Sequence, residues 1–373
     1  MRREVLPFRL CRLRSERISF MVCIGKLTSV LAAGAFSMLP IATWPAVPAA
    51  LHQPAMQSSK SLNAAMLAVA RAGKRLIVVG ERGIILLSDD GGNRWQQAQV
   101  PVRTSLTAVQ FVNDKTGWAV GHLGVVLHTA DGGKTWVKQL DGIQAADLAL
   151  QAAKQVAARN PGQDKAVADA ARLVADGPDK PFLDVYFENE RTGYVVGAYN
   201  LIFKTVDGGK SWQSWQSHVV NPKGFHLYGI RAAGSALYLV GEQGTLLRST
   251  DQGESFAALD SPYKGTYFGM VAVKSGELIV FGLRGNAFRS EDQGNSWQKI
   301  DTGVQTSIAA GIELDNGALV LVSQVGDVLV SRDKGRSFAP QKGVPLPLAA
   351  VAQATDKNLV VAGLRGVKLL PAP

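Results

Sequence analysis

Six copies of one pattern, VGxxGxxLxSxDxGxSW, constrain this chain more than any other feature of its 373 residues. They end at Trp95, Trp136, Trp212, Phe256, Trp297 and Phe338, which lie 41, 76, 44, 41 and 41 residues apart. A period of about 40 to 45 residues is the length of a four-stranded propeller blade. Each copy carries β-branched or apolar runs, such as Leu76-Ile77-Val78-Val79, separated by short turns, then an Asp-containing turn and a last strand. A seventh copy, AGLRGVKLL at 362–370, stops before its Asp. The expected fold is therefore all-β, a seven-bladed β-propeller of four-stranded antiparallel blades spanning residues 50–373. The seventh blade has three strands of its own, so residues 51–59 are expected to add its outer strand and fasten the ring.

The spacing of 76 exceeds the commonest one by 35 residues, which places an insertion, 141–180, between blades 2 and 3. Ile143, Ala146, Leu150, Ala153 and Ala157 fall on one face of a helix from about Gln144 to Arg159. Asn160-Pro161-Gly162 reads as a turn, and Ala166 to Ala175 as a second helix. Such an Ala-rich hairpin can lie on the ring or offer its apolar stripe to a partner, and packing on the ring is the favoured expectation.

The first 49 residues differ from the rest. Arg2, Arg3, Arg9, Arg12, Arg14, Arg17 and Lys26 precede an apolar stretch from Leu27 to Trp44, and Val47-Pro48-Ala49 offers small residues for cleavage. This reads as a secretory signal peptide, 1–49, with Met21 as an alternative start and an uncleaved membrane anchor as the competing reading. An exported, periplasmic or equivalent lumenal location follows. Both cysteines, Cys11 and Cys23, lie in this leader, so no disulfide partner or thiol metal site is expected in the folded part. Half of the net charge of +10 also sits there. The remainder has 33 basic and 28 acidic residues, with no basic run or nucleic-acid motif, and no nucleic-acid partner is expected.

In each Asp turn one carboxylate, Asp90, Asp131, Asp207, Asp251, Asp292 or Asp333, can accept backbone N–H bonds, while the following Gly permits positive φ. A structural role is expected for all six. The competing reading, calcium or catalytic carboxylates, fails because each blade supplies one such Asp and no pair converges. The five histidines, His52, His122, His128, His218 and His226, show no ligand spacing, so neither a metal nor a cofactor is expected.

The Ser/Thr-x-Asp-x-Gly-x-x-aromatic unit resembles the Asp box of bacterial neuraminidase repeats. The number and spacing of the copies, over roughly residues 60–370, are similar to the seven-bladed photosystem II stability/assembly-factor family and its relatives in non-photosynthetic bacteria. The resemblance implies a non-catalytic scaffold that docks onto a membrane or envelope protein complex. It also implies a binding role for an arginine patch.

Topology divides the ring into two faces. The Asp turns share one with the turns between first and second strands. The other, called here the link face, is formed by the turns between second and third strands and the links between blades. The second-to-third-strand turns place Arg82, Arg284 and Arg365 in equivalent positions on blades 1, 5 and 7, and the links add Arg103, Lys223, Lys264 and Lys342. A partner-binding role is expected for Arg82, Arg284, Arg365, Arg103 and Lys264, against the plainer reading of solvated turn residues. A monomer is expected. The alternative function is a neuraminidase-like glycoside hydrolase with Tyr199 as nucleophile. Short, evenly spaced turns leave no long loops for its pocket, and the match to its arginine motif, Phe8-Arg9-Leu10, lies in the leader. Trp118, Tyr194 and Tyr238 read as core between blades.

Overall fold

The second strands, Arg75–Gly80 in blade 1 and Leu319–Ser323 in blade 6 among them, are almost wholly buried. They carry continuous apolar runs because a sheet neighbour covers each of their faces. In the computed structural model, which describes residues 47–160, 162 and 164–373, these strands form the middles of seven antiparallel sheets. The sheets span residues 66–97, 106–140, 182–214, 227–258, 267–300, 308–341 and 348–370. Within each, the strands pair in chain order from the inside of the ring outward. Outer strands are short, two residues in blade 1 (Gln96–Gln97) and four in blade 2 (Val137–Leu140).

The core is distributed between blades. Each apolar cluster draws on two neighbours, as where Trp118 of blade 2 stacks on Phe187 of blade 3 with ring centroids 3.5 Å apart. Tyr194 and Tyr238 are also buried at seams, their hydroxyls donating to the carbonyls of Gln252 and Gln293 in the next blade. The last seam joins Met66, Val78 and Leu86 of blade 1 to Ala350 and Ala362 of blade 7. Face-to-face packing therefore closes the ring.

This corrects the expectation for residues 51–59. Blade 7 has three strands, and the segment lies instead along the link that follows blade 1. Arg103 N donates to Ala50 O at 2.8 Å, Ala55 N to Val100 O at 3.0 Å, and Gln57 Nε2 to Ala98 O at 3.1 Å. The physical reason is Leu51. Its side chain is buried with Val100, Val102 and Val125 between blades 1 and 2, a deeper site than a strand edge on blade 7 offers.

The hairpin is present as α1 (Gly142–Arg159) and α2 (Asp164–Asp176). Helix α1 begins earlier than the apolar periodicity indicates because Asp141 caps it, accepting from Ile143 N and Gln144 N while Gln144 returns a bond to the cap backbone. Ala145, Ala146 and Ala149 are buried, and Leu148 and Leu173 pack on the cluster of blades 2 and 3. The apolar stripe faces the ring. Most of the expected leader lies outside the described residues. Among the described residues no helix is long and apolar enough to cross a membrane.

Candidate functional site

The six Asp turns repeat one hydrogen-bond pattern. Ser88, Thr129, Thr205, Ser249, Ser290 and Ser331 donate their hydroxyls to Asp90, Asp131, Asp207, Asp251, Asp292 and Asp333 at 2.7–2.9 Å. Each hydroxyl also accepts the N–H of the second residue after the Asp at 2.8–3.0 Å. The same carboxylates accept the N–H of Arg94, Thr135, Ser211, Ser255, Ser296 or Ser337. These donors stabilise the charged form. At Asp292 the Ser296 hydroxyl leads in holding the carboxyl at about 2. At Asp207 and Asp333 partial burial opposes ionisation, but bonds from Ser211 and Ser337 outweigh it and hold both at about 2. Asp251, through Ser255, and Asp90, through the Arg94 N–H, also lie below the ordinary carboxylate range. Every one of these carboxylates is engaged by donors of its own turn. Among the described residues no three His, Cys, Asp or Glu converge.

The link face is built differently. In all seven first strands the register shifts by one residue after the first pair, leaving Leu67, Thr107, Leu183, Tyr228, Phe268, Ala309 and Ala349 as bulge residues. Each is half-buried near the link-face end of the innermost strand. A bulge re-aims the side chain it carries. Opposite it, a methyl on Gly80, Gly121, Gly197, Gly241 or Gly282 would meet a carbonyl oxygen of the first strand's entry at 2.1–2.2 Å. This close approach explains the glycine in the repeated VG.

The turns that follow, Glu81–Gly83, His122–Gly124, Ala198–Asn200, Glu242–Gly244 and Leu283–Gly285, hold their middle residue left-handed. Arg82, Leu123, Tyr199, Gln243 and Arg284 have φ between 51° and 57°. Such a conformation costs a non-glycine residue about 1–2 kcal/mol. None of the five is β-branched. Blade 6, with Val325 at this place, uses another turn in which Gly326 takes the positive φ, 103°. The turn is also tighter in blade 7, where Gly363 pairs directly with Gly366 across Leu364 and Arg365. Arg82 and Arg284 thus share a backbone geometry that Arg365 does not.

All three arginines, with Lys223, Lys264 and Lys342, are exposed. Among the described residues none has a carboxylate within 4.0 Å. Arg82 and Arg365 lie on adjacent blades, whereas Arg284 is two blades from Arg365. Arg103 is only half exposed, and its Nε donates to Pro54 O at 3.3 Å in the segment along blade 1. The two acids in these turns face inward, Glu81 accepting from Ala65 N at 3.1 Å and Glu242 from His226 N at 3.2 Å. On the Asp-turn face Arg75 is paired with Asp89, Lys204 with Glu254 and Arg289 with Glu277 and Glu291, while Lys74, Arg332 and Lys357 are exposed without a carboxylate within 4.0 Å among the described residues.

Sequence reasoning named Tyr199 and His226 separately but missed the grouping they form with Tyr228 and Phe268 on the link face. Tyr199 is 57% exposed, and its ring lies 4.8 Å from His226. His226 lies 6.3 Å from Tyr228, and Tyr228 lies 5.5 Å from Phe268. Tyr228 and Phe268 are the aromatic members of the seven bulge positions. Aligning first strands in register, rather than the Asp turns alone, brings them into one column.

Comparison with known proteins places this ring. The model of the photosynthesis system II assembly factor YCF48 family matches residues 52–152 and 166–343. A photosystem II assembly lipoprotein Ycf48 from Synechococcus sp. (strain CC9902) is 32% identical over 77 residues, which are 21% of this chain and 23% of that protein. The solved structure of YCF48 bound to a D1 peptide is 16% identical, with a TM-score of 0.61 over 86% of this chain and 99% of that one. A streptogramin B lyase, 11% identical, has a TM-score of 0.62 over 85% and 97%, so the same ring also occurs in an enzyme. With its model matched across most of the ring and broken only within the helical hairpin, the chain belongs to the YCF48 photosystem II assembly-factor family.

Proposed function

We propose that this protein is an exported, non-catalytic scaffold or assembly factor that docks through its link face onto a membrane or envelope protein complex. The observation carrying the proposal is that exposed cations and exposed apolar side chains occur together on the link face. Among the described residues, six exposed cations lie on the link face without a carboxylate within 4.0 Å: Arg82, Arg284, Arg365, Lys223, Lys264 and Lys342. Unpaired surface cations create a field that steers acidic partners and is weakened by salt. Exposed apolar residues, Tyr199, Val220, Val325 and Leu364, share that face. A YCF48 bound to a D1 peptide is a family precedent for peptide recognition.

Turnover is not part of the proposal. Tyr199 lies tilted against His226 with ring centroids 4.8 Å apart, and under Lys180 Nζ at 5.4 Å, whose charge is paired with Asp176 and Asp179, an environment suited to binding an apolar group. The hairpin has a supporting role, since its apolar residues are already spent on the ring. Export to a periplasmic or lumenal compartment, by cleavage of residues 1–49, and a monomeric state complete the reading. The six Asp-turn carboxylates serve as structural pins.

The test is affinity capture from crosslinked membranes of the native host. The wild type is compared with a link-face variant (R82E, R284E, R365E) and a control on the other face (K74E, R332E, K357E). One membrane complex recovered by wild type and control, and lost with the link-face variant, is the expected result. Equal recovery by all three overturns the arginine assignment, and no specific recovery by the wild type overturns the docking reading.

A further inference from the structure

We propose that the link-face seam of blades 3, 4 and 5 is a peptide-binding subsite whose occupant is an extended, acidic segment of the partner protein. That segment lays a large apolar side chain along Tyr199, His226, Tyr228 and Phe268. The inference rests on the docking reading and specifies where and how the partner is held.

Three observations carry it. The rings form a single file, with successive centroids 4.8, 6.3 and 5.5 Å apart, leading from an exposed turn to the bulge positions of the innermost strands. Aromatic surfaces are recurring docking sites for extended peptide segments, and aromatic residues dominate the energetics of such contacts.

The turn that presents Tyr199 is also held in place. Tyr199 and Asn200 are consecutive left-handed residues, φ 53° and 61°. Buried Asn221 of the next link fixes them, donating from Nδ2 to Asn200 Oδ1 at 3.0 Å and to Phe225 O at 2.8 Å, while its Oδ1 accepts Phe225 N at 3.1 Å. A large ring kept 57% exposed on a costly backbone is the kind of local conflict that marks functional surfaces.

The charge of the rim then selects the occupant. Asn221 also shapes the link that carries Val220, 59% exposed, and Lys223, whose Nζ lies 5.6 Å over Phe225. Lys223 and, on the following link, Lys264 have no carboxylate within 4.0 Å among the described residues. A second copy of this chain would bring like cations to the same seam. An acidic peptide neutralises them.

The test is selection of a displayed library of random 12-residue peptides on the folded protein, followed by binding of the synthesised winners measured by fluorescence anisotropy. Winners are expected to carry one aromatic or large aliphatic residue beside Asp or Glu. Their affinity should fall about tenfold in Tyr199→Asn, which keeps a residue tolerant of the left-handed turn, and change less than about twofold in Tyr199→Phe. It should also fall several-fold in the K223E, K264E double variant. Absence of enrichment, or winners indifferent to Tyr199→Asn, overturns the proposal. Repeating the membrane capture with Tyr199→Asn separates the two readings. Undiminished capture there, with loss in the arginine variant, leaves docking standing and removes this subsite. If the wild type captures nothing, docking falls, and the peptide selection judges the subsite alone.

Discussion

Asn221 Nδ2 donates to Asn200 Oδ1 at 3.0 Å, so the link entering blade 4 is tied to the turn of blade 3 that carries Tyr199. The same amide closes its own loop through both polar groups of Phe225. One buried side chain therefore sets two surface segments.

Truncating it leaves those partners without their bonds. Asn221→Ala is expected to cost about 1–3 kcal/mol, because buried polar groups lose partners that water replaces poorly. A urea titration gives the loss, and hydrogen exchange localises it. Faster exchange confined to the Phe225 and neighbouring amides is the expected pattern, and uniform acceleration around the ring would contradict it.

Leu51 provides a second test, since it is 1% exposed and far in sequence from the blade 2 residues it touches. Its carbonyl accepts from Lys138 Nζ at 3.3 Å, which fastens the N-terminal segment to the outer strand of blade 2. Leu51→Ala should cost about 2 kcal/mol or more, near the low end for buried leucines because the segment can peel away. The thermal midpoint checks it. A midpoint unchanged by Leu51→Ala would show that the segment adds nothing to the ring.

What the sequence made legible, and what it did not, follows from periodicity. The blades repeat, so their strands and Asp turns were visible as copies, and the hairpin was visible as the one break in spacing. Residues 50–58 occur once and leave no period, so only the burial of Leu51 reveals that they follow blade 1 and not blade 7. The exposed arginines were found because they occupy one turn position, but the contrast between Arg284 at φ 56° and Arg365 in a tighter hairpin depends on backbone geometry. The aromatic file joins a turn of blade 3 to first strands of blades 4 and 5. Its members are neighbours only after the ring closes and the bulges turn Tyr228 and Phe268 out of strand register.

Gly282 isolates the close approach behind the repeated glycine. A Cβ there would lie 2.1 Å from Thr266 O and 2.8 Å from the Tyr267 Cα, and neither backbone atom can move without reshaping the bulge at Phe268. Gly282→Ala should cost about 3 kcal/mol or more, as overpacking against fixed backbone does. Gly303→Ala is the control: it has φ 67° but nothing within 4 Å, so only conformational strain of about 1 kcal/mol applies. Similar losses at the two positions would refute the steric account.

Acid should find the Asp turns before it finds the apolar seams. Asp207, Asp292 and Asp333 hold values near 2 in the folded chain against an ordinary 3.8. Because the folded values are depressed, the stabilisation they bring is complete above about pH 4 to 5 and is lost as pH falls toward about 2. The urea midpoint is therefore expected to decline steeply across that interval. Replacing Asp292 by Asn removes one ionisable carboxylate from an otherwise intact turn, and it should lower the midpoint at pH 7 while making the decline below pH 4 shallower. If Asp292→Asn lowers stability equally at pH 7 and pH 2, its carboxylate contributes through shape alone and not through the charge that its Ser290 and Ser296 hydroxyl donors stabilise.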